Sequence, residues 1–367
     1  MQTIVYLVPY LIKSGPINVL YNIVRHLDRK RFLPVIVALS DSEHLARNNR
    51  PLFEGLGIEV RCYGYSKWYC EMHSRKIARR LDEEFPESDT LFHAHGYYPT
   101  LILSRLKGRR TMTTIHNICD EDFRMTKGRW MGKYMSWKYK SSLMKLKICV
   151  AINDYMKGYY AKDTRLNIHT VCNGVEVPTV TCESERERLR TQFGIGQGTF
   201  VMIYPAAFSK RKNQTYLIEE IIARPELPIM LVLAGTGDME EACRNIAGDD
   251  KRIRFLGYQM NLDQWWQAAD ALVSPSVSEG MPMAVLEAVV RGLPCLLSAI
   301  PAHLEISQNV FGTRKWCFDL KEKGKLGNLI AEAVHKKFNH GEIAEKASRL
   351  YSAEAMCKGY ENLYALK

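Results

Sequence analysis

The sequence predicts an α/β protein made of two Rossmann-like domains, each a parallel sheet with helices on both faces. Short β-branched and apolar runs alternate with longer stretches of helical periodicity along the chain, which is typical of doubly wound sheets. The alternation lapses once near the middle and then resumes. With 367 residues, the chain is long enough for two domains that each bury a core.

The first half contains six predicted strands. They cover residues 3–8, 33–39, 90–92, 111–115, 148–152 and 168–171. Between the first two, apolar side chains recur at helical spacing after Gly15-Pro16. We therefore predict an N-terminal domain over residues 1–178.

The pattern is interrupted at Pro178, Thr179 and the charged stretch 183–190. A linker with a short helix is therefore predicted over residues 179–198. Strands follow at 200–204, 229–233, 253–255, 271–274 and 294–297, with helical patterns between them. These strands define a second domain over residues 199–350. Ligands of open parallel sheets bind beyond the carboxyl ends of the strands, so a cleft between the two sheets is the expected site.

Composition excludes several classes of protein. Hydrophobic residues make up 46% and charged residues 25%, which is ordinary for a globular chain and excludes disorder, collagen and coiled coil. No apolar run approaches the ~18 residues of a membrane span. The apolar start, 3–12, has no basic residue before it and contains Pro9, so it is interpreted as a strand and not a signal peptide. Ten scattered cysteines without a C-x-x-C pair indicate a reduced, cytosolic compartment.

The net charge of +11 is concentrated in the first half. Residues 1–180 contain 28 Lys/Arg and 17 Asp/Glu, whereas residues 181–367 contain 23 of each. Residues 124–147 alone carry eight basic residues and no acid, interleaved with Trp and Tyr. Such a segment is typical of an amphipathic helix at an anionic membrane surface. The side chains assigned to this membrane or acceptor face are Lys127, Arg129, Trp130, Lys133, Trp137, Lys138 and Lys140.

Two other interpretations of this segment remain open. Its aromatic residues could pack on the domain core and leave a solvated charged face. Nucleic acid is the third option, but the sequence contains no recognised nucleic-acid-binding module, so we expect no nucleic-acid partner.

The segment 276–288, Ser-Val-Ser-Glu-Gly-Met-Pro-Met-Ala-Val-Leu-Glu-Ala, places Glu279 in a loop and Glu287 in the helix that follows. Pro282 suits the first turn of that helix. The N–H groups of Gly280, Met281 and Met283 would then form an anion site at its N-terminus. Two carboxylates so placed cannot easily approach the ~5 Å of a glycosidase pair, so contact with different parts of one long ligand is favoured. The alternative is one solvated acid and one acid on a helix face.

This segment resembles the signature of retaining glycosyltransferases of the GT-B fold, most closely glycosyltransferase family 4. Further matching motifs run nearly end to end: His93-Ala-His-Gly96, Thr114-Ile-His-Asn117, Asn173-Gly-Val175, Ala234-Gly-Thr-Gly237, Phe255-Leu-Gly-Tyr258 and Ile300-Pro-Ala-His-Leu-Glu-Ile306. The resemblance implies two Rossmann-like domains facing each other across a cleft. It also implies that an aromatic C-terminal helix, 351–367, packs back on the first domain.

The resemblance also implies roles for single residues. Glu279 would hold hydroxyls of the donor sugar, Glu287 the ribose hydroxyls of the nucleotide, and Lys212 the diphosphate, while His116 would line the donor-sugar pocket. Donor-binding positions carried over with the other motifs are Gly15, Asn173, Gly235 and Tyr258. His93 and His95 would share one face of a strand end, but no third ligand with suitable spacing follows, so no metal and no cofactor is expected.

The chain departs from the family pattern at two places. Where the family has Gly-Arg before the diphosphate lysine, this chain has Ala206-Ala207. Arg211 or Lys210 could supply the missing cation. Where the family has Gly-Gly before its first helix, only Gly15 remains, followed by Pro16.

The implied activity is retaining transfer of a hexose or N-acetylhexosamine from a nucleotide diphosphate sugar, UDP-linked by preference. The implied acceptor is a lipid-diphosphate-linked glycan of bacterial surface polysaccharide synthesis (O-antigen, capsule or exopolysaccharide), at the inner face of the plasma membrane. A nucleotide-sugar epimerase and a catalytically degenerate, membrane-bound partner protein are the alternatives.

Overall fold

The computed structural model describes residues 1–40, 48–163, 165–179 and 182–366. The chain divides into two compact units. Unit 1 consists of Met1–Gly174 together with Ala353–Lys367, and unit 2 is Val175–Ser352.

Unit 1 contains a seven-stranded sheet in which all neighbouring strands run parallel. Its strands are β1 Gln2–Val8, β2 Phe32–Ala38, β3 Glu59–Cys62, β4 Leu91–His95, β5 Arg110–Ile115, β6 Ile148–Ala151 and β7 Ile168–Thr170, in the spatial order β3-β2-β1-β4-β5-β6-β7. The order reverses between β1 and β4, and such a reversal opens a crevice at the carboxyl ends of the strands. The sequence analysis missed β3, an edge strand whose Glu59 and Arg61 break up its apolar pattern.

Helices connect the strands of unit 1. They are α1 Gly15–His26, α2 Arg50–Glu54, α3 Lys67–Met72, α4 Ser74–Glu84, α5 Tyr97–Leu103, α6 Cys119–Lys127, α7 Arg129–Leu143 and α8 Asp154–Tyr160. The basic segment 124–147 is therefore not one helix. Gly128, at φ 76°, ends α6 and begins α7, and a Cβ at Gly132 would lie 2.6 Å from the carbonyl oxygen of Phe123, so the two helices cross closely there.

The last helix of the chain belongs to unit 1. The tyrosines of this helix, Ala353–Tyr364, are buried against the sheet, and the hydroxyl oxygens of Tyr364 and Tyr6 lie 3.0 Å apart. Arg110 Nη2 donates to the carbonyl oxygen of Tyr364 at 2.8 Å, and Glu361 Oε1 accepts from the backbone N–H of Asp28 at 2.8 Å. Side chains therefore connect both ends of the chain within one unit.

Unit 2 is built on a six-stranded parallel sheet. Its strands are β8 Phe200–Pro205, β9 Ile229–Ala234, β10 Ile253–Phe255, β11 Ala271–Ser274, β12 Cys295–Ser298 and β13 Cys317–Phe318, in the order β10-β9-β8-β11-β12-β13. The order reverses between β8 and β11, so the loops that follow these two strands flank the crevice. The two-residue strand β13 is too short for a hydrophobic pattern to reveal it.

The helices of unit 2 are α9 Glu183–Gln192, α10 Gln214–Ile222, α11 Glu240–Ala247, α12 Asp263–Ala268, α13 Met283–Val290, α14 Pro301–Phe311, α15 Lys325–His335 and α16 His340–Tyr351, and the C-terminal helix of unit 1 is α17. Most of the predicted linker, 179–198, is folded, whereas Val180 and Thr181 lie outside the described residues. Arg186 and Arg190 of α9 both bind the carboxylate of Asp270, at 2.5 and 3.0 Å, so α9 is part of unit 2. Within the described ranges, no helix is both long and apolar enough to span a membrane.

Candidate active site

Glu279 is the centre of a charged cluster in unit 2. Its Oε1 accepts from Lys212 Nζ at 2.5 Å and from Ser276 Oγ at 2.8 Å, while Oε2 accepts from Arg211 Nη1 at 3.0 Å. The Glu279 side chain is only 6% exposed. Burial on its own would raise the pKa of this carboxyl, but attraction to Lys212 and Arg211, with the hydrogen bonds, lowers the pKa below its usual value. Glu279 is therefore ionised at neutral pH.

The fold brings these residues together because their loops follow neighbouring strands. Residues 209–213 follow β8, and residues 275–279 follow β11, which pairs with β8. The backbone N–H of Val277 donates to the carbonyl oxygen of Arg211 at 2.8 Å. Asn213, at φ 56°, turns the first loop into α10. The cluster therefore lies at the crevice that the strand order of unit 2 creates.

Buried hydroxyl groups form hydrogen bonds to the two loops that carry the cluster. The Tyr204 hydroxyl lies 2.8 Å from Ser276 Oγ and donates to the carbonyl oxygen of Lys212 at 3.0 Å. Ser298 Oγ donates to the carbonyl oxygen of Ser276 at 2.5 Å. One tyrosine of β8 thus holds both the lysine loop and the glutamate loop, which fixes the geometry of the ion pair.

The helix that carries Glu287 begins one residue later than predicted. Pro282 caps the helix rather than entering its first turn, and α13 begins at Met283. Gly280 and Met281 lie in the loop before it. Gly280 and Met281 thus directly precede the cap and Met283 is the first helical residue, and the anion site at these three residues stays a prediction. Glu287 is half-buried in the second turn of α13.

Gly235 is a glycine because two backbone segments cross there. Gly235 follows β9 and has a φ of 146°. A Cβ on it would lie 2.2 Å from the carbonyl oxygen of Ala206. Its N–H donates to the carbonyl oxygen of Gly257 at 2.8 Å. Tyr258 comes next, 41% exposed beyond the edge strand β10, two strands away from β8. The structure thus gives Gly235 a packing role and does not join Tyr258 to the Glu279 cluster.

His303, which the sequence analysis did not single out as a site residue, lies beneath this cluster. It is fully buried near the start of α14, and its Nδ1 lies 3.0 Å from the carbonyl oxygen of Ser298. Burial lowers the pKa of His303 to about 4, although attraction to Glu279 acts the other way. Its place within the motif 300–306 was the available sequence signal.

Unit 1 contains a cavity of about 390 Å³ at the carboxyl ends of β1, β4 and β5. Aromatic, imidazole and basic side chains line it, among them Tyr10, Lys67, His95, Tyr97, His116, Phe123, Lys127 and Tyr139. This is the crevice that the strand order of unit 1 predicts. Its mixture of rings, hydrogen-bonding groups and cations suits a polar ligand that carries negative charge.

His116 and His95 form a pair in the wall of this cavity. His116 Nε2 lies 3.0 Å from His95 Nδ1, and the two rings stack with centroids 5.2 Å apart. Burial lowers the pKa of His116 to about 4, so it is a neutral imidazole at physiological pH. His93 is different, because Tyr364 and Thr114 occupy its two nitrogens at 2.9 and 2.8 Å. His93 therefore has a structural role, and His116 faces the cavity.

Two more predicted donor-binding residues are Gly15, at the start of a helix, and Asn173, near the end of the first segment of unit 1. Gly15 is the first residue of α1, and no atom of the described residues lies within 4 Å of the position that its Cβ would take. Asn173 is buried one residue before the end of the first segment of unit 1, and the next carbonyl, that of Gly174, accepts from Asn22 Nδ2 at 2.8 Å. The structure therefore leaves open space at Gly15 and builds Asn173 into a packed connection.

The basic residues of α6 and α7 divide into two groups. Lys138 and Lys140 are engaged by acids, Glu71 and Asp120 respectively, so part of their charge is neutralised within unit 1. Among the described residues, Lys127 and Lys133 have no acidic partner, and both are exposed. The guanidinium of Arg129 lies 5.9 Å from the ring of Trp130.

An exposed aromatic surface accompanies these cations. It consists of Met125, Trp130, Met131, Tyr134 and Trp137 on α6 and α7, with Trp68 and Met72 on α3. Trp130 is 82% and Trp68 is 77% exposed. Of the aromatic residues of α7, Trp130, Tyr134 and Trp137 are exposed and only Tyr139 is buried, so packing on the core accounts for Tyr139 and not for the other three. The sequence analysis missed α3, although Lys67-Trp68-Tyr69 carries the same basic and aromatic character.

Both units match glycosyltransferase family models. Residues 14–178 match the model described as "Glycosyltransferase Family 4", and residues 199–335 match the model described as "Glycosyl transferases group 1".

Individual relatives agree with these matches. The O-antigen biosynthesis glycosyltransferase WclY of Escherichia coli is 23% identical over 98% of this chain and 97% of its own. The putative glycosyltransferase EpsD of Bacillus subtilis is 26% identical over 68% of this chain and 71% of its own. The UDP-Gal:alpha-D-GlcNAc-diphosphoundecaprenol alpha-1,3-galactosyltransferase of Escherichia coli is 26% identical over 61% of this chain and 62% of its own.

Solved structures share the fold. HepE of Anabaena, solved in complex with UDP, superposes with a TM-score of 0.78 at 16% identity, over 99% of this chain and 100% of that one. The chain is a hexosyltransferase with the GT-B fold, built from a glycosyltransferase family 4 domain followed by a group 1 glycosyl transferase domain.

Proposed function

We propose that this chain transfers a hexose or N-acetylhexosamine from a UDP-sugar to a lipid-diphosphate-linked glycan, with retention of configuration at the anomeric carbon. The observation that carries the proposal is the Glu279 cluster, which places a carboxylate between two cations at the crevice of unit 2. The product belongs to a bacterial surface polysaccharide, such as O-antigen, capsule or exopolysaccharide. Support comes from the relatives in O-antigen synthesis and in galactosyl transfer to a diphosphoundecaprenol acceptor.

The chemistry follows from charge. Negative charge builds on the nucleoside diphosphate as its bond to the sugar breaks, and Lys212 neutralises that charge. Glu279 binds hydroxyls of the donor sugar, and Glu287 accepts from the ribose hydroxyls. This arrangement gives the task of neutralisation to side chains and requires no metal or other cofactor.

Retention of configuration is proposed to result from attack by the acceptor hydroxyl on the same face of the sugar from which the leaving group departs. Glu279 accepts from two cations and from Ser276 Oγ, so three of its roughly four lone-pair sites are engaged; one is left for a sugar hydroxyl, and the carboxylate is a poor nucleophile for a covalent intermediate. The departing phosphate oxygen takes the proton of the acceptor hydroxyl as the new glycosidic bond forms. The neutral imidazole of His116 contributes hydrogen bonding to sugar recognition in unit 1.

Unit 1 is assigned to the acceptor. The cavity of unit 1 offers aromatic rings for a sugar face, and Lys67 and Lys127 in its lining offer charge for the acceptor diphosphate. Three helices that contribute to the cavity lining, α3, α6 and α7, also carry the exposed aromatic surface. We propose that this surface contacts the anionic inner face of the plasma membrane, with indole rings at headgroup depth.

The test is incubation of the full chain with a panel of sugar nucleotides, with and without a polyprenyl-diphosphate-linked sugar. Acceptor-dependent release of UDP and a new glycolipid with retained configuration support the proposal. Isomerised donor without acceptor would instead establish an epimerase, and a chain that neither binds nor turns over any sugar nucleotide would favour the degenerate partner. Glu279→Ala and Lys212→Ala should each lose most turnover, and wild-type rates in either variant contradict the assignment.

A further inference from the structure

The diphosphate site of this chain lacks a cation at the position where the family pattern has one. Ala207 follows the strand β8 where an arginine is expected, and its side chain is exposed and uncharged. Lys212 alone cannot give the cluster a positive charge, because its charge is cancelled by that of Glu279, 2.5 Å away. A neutral cluster attracts a diphosphate weakly.

The structure places a second cation on the same carboxylate. Arg211 Nη1 lies 3.0 Å from Glu279 Oε2, and Lys212 Nζ lies 2.5 Å from Oε1, so each carboxylate oxygen holds one cation. Arg211 Nη1 also donates to the carbonyl oxygen of Ser278 at 3.2 Å. The formal charge of the three groups together is +1. Arg211 therefore converts a neutral pair into a site that attracts anions.

The exposure of the three side chains shows which of them can reach a ligand. Glu279 is 6% exposed, Lys212 is 19% exposed and Arg211 is 44% exposed. A guanidinium has five N–H donors in a planar fork that matches phosphate oxygens. Within the described structure, Nε and Nη2 of Arg211 donate to no acceptor. They can therefore bind an anion while Nη1 stays on Glu279.

The neighbouring basic residue, Lys210, is a weaker candidate. It is exposed, and the described structure gives it no contact with Glu279. The backbone of Arg211, in contrast, accepts a hydrogen bond from Val277 at 2.8 Å, which holds this residue against the glutamate loop. The Arg211 side chain is also already held by Glu279, whereas the Lys210 side chain would lose more entropy on binding an anion.

We propose that Arg211 is the second diphosphate-binding cation of this chain and takes the place that Ala207 leaves empty. Its guanidinium bridges Glu279 and the diphosphate of the nucleotide, while Lys212 acts from the more buried side. This inference rests on the proposed function, since it presumes that unit 2 binds a nucleoside diphosphate.

The experiment measures binding of UDP and of uridine to the full chain by calorimetry. The variants are Arg211→Ala, the matched control Lys210→Ala, and Arg211→Ala combined with Ala207→Arg. Arg211→Ala should weaken UDP at least ~10-fold and uridine less than ~2-fold, because only UDP carries the phosphates. Lys210→Ala should stay within ~2-fold for both ligands. The double variant should recover much of the lost affinity for UDP.

Three outcomes would overturn the inference. They are an unchanged affinity of Arg211→Ala for UDP, an equal loss for UDP and uridine, and a larger loss in Lys210→Ala than in Arg211→Ala. If the wild-type chain binds no nucleoside diphosphate at all, the proposed function itself fails. Binding by wild type with no effect of Arg211→Ala contradicts only the role of Arg211.

Discussion

Lys212 Nζ lies 2.5 Å from Glu279 Oε1, although 67 residues separate the two in sequence. They meet because β8 and β11 are neighbours at the reversal of the strand order, so the loops after them share one crevice. The carboxylate holds the lysine, and through its other oxygen Arg211, in a fixed position. Glu279 therefore has two effects that a substitution can separate, since it positions the cations and also reduces the charge of the site.

Glu279→Gln should change nucleotide binding and sugar transfer in opposite directions. Loss of the negative charge raises the formal charge of the cluster from +1 to +2, so UDP should bind more tightly. Transfer should fall at least ~100-fold, because the carboxylate no longer holds the sugar hydroxyls or the cations. Calorimetry with UDP and a glycolipid product assay measure the two effects. The control is Glu226→Gln, which removes the same charge from an exposed position of unit 2. Weaker UDP binding by Glu279→Gln would contradict the prediction.

Glu287→Ala should weaken the nucleotide through the ribose alone. The half-buried carboxylate is proposed to accept from the ribose hydroxyls, and a hydrogen bond to a charged group is worth about 1.5–3 kcal/mol. A double-mutant cycle with 2′-deoxy-UDP isolates this contact. Wild type should discriminate against the deoxy nucleotide, and Glu287→Ala should not. If discrimination persists in Glu287→Ala, another residue binds the ribose.

The sequence predicts features that depend on neighbouring residues better than features that depend on contacts between residues far apart in the chain. The parallel strands and most helices follow from local periodicity, and the motif around Glu279 marks the site. The split at Gly128 was missed because helical periodicity continues on both sides of one glycine. The pairing of Lys138 with Glu71 was missed because it joins residues far apart in sequence. For the same reason, the sequence left Arg211 and Lys210 as equal candidates, and only contact with Glu279 distinguishes them.

Gly235→Ala should destabilise unit 2, whereas Gly15→Ala should not change the stability of unit 1. At Gly235 a Cβ would lie 2.2 Å from the Ala206 carbonyl oxygen and φ is 146°, so a cost of about 2–4 kcal/mol is expected. At Gly15 a Cβ in the first turn of a helix would meet no atom of the described residues within 4 Å, so a change within ~1 kcal/mol is expected. Urea unfolding of both variants measures the difference. Equal stability of the two variants would mean that the backbone crossing at Gly235 is not tight in solution.

The buried histidines should make folding stability fall in acid. Burial lowers the pKa to about 3 for His93 and to about 4 for His116 and His303, below the ~6.5 of an unfolded chain. Between these values the unfolded chain binds protons that the folded chain does not. Each histidine therefore contributes stability above pH ~6.5 that is lost, by up to ~1.4 kcal/mol per pH unit, as the pH falls.

Proton NMR of the imidazole C2–H groups checks this directly. The signals of His93, His116 and His303 should stay at their neutral positions from pH 8 to pH 5.5. Assignment comes from single His→Gln variants. A midpoint near 6.5 for any of the three would show that its environment is not as buried as the structure has it.

The proposed membrane contact predicts which lysines are needed for binding to anionic vesicles. Lys127 and Lys133 are exposed beside Trp130 and Trp137, whereas Lys138 and Lys140 are held by acids. Each basic residue near an anionic surface is worth about 1 kcal/mol, so Lys127→Glu with Lys133→Glu should reduce binding to phosphatidylglycerol vesicles at least ~10-fold.

The matched control is Lys321→Glu with Lys323→Glu, two exposed lysines of unit 2 that change the net charge equally. It should bind these vesicles much more tightly than the first variant, because charge reversal in unit 2 leaves the aromatic surface intact. Trp130→Ala with Trp137→Ala should weaken binding to the same vesicles even at high salt, since the indole contribution is not screened. UDP binding should be unchanged in all three variants. Equal loss in the two charge variants would mean that only net charge attracts the protein, and that the aromatic surface has no special part in membrane contact.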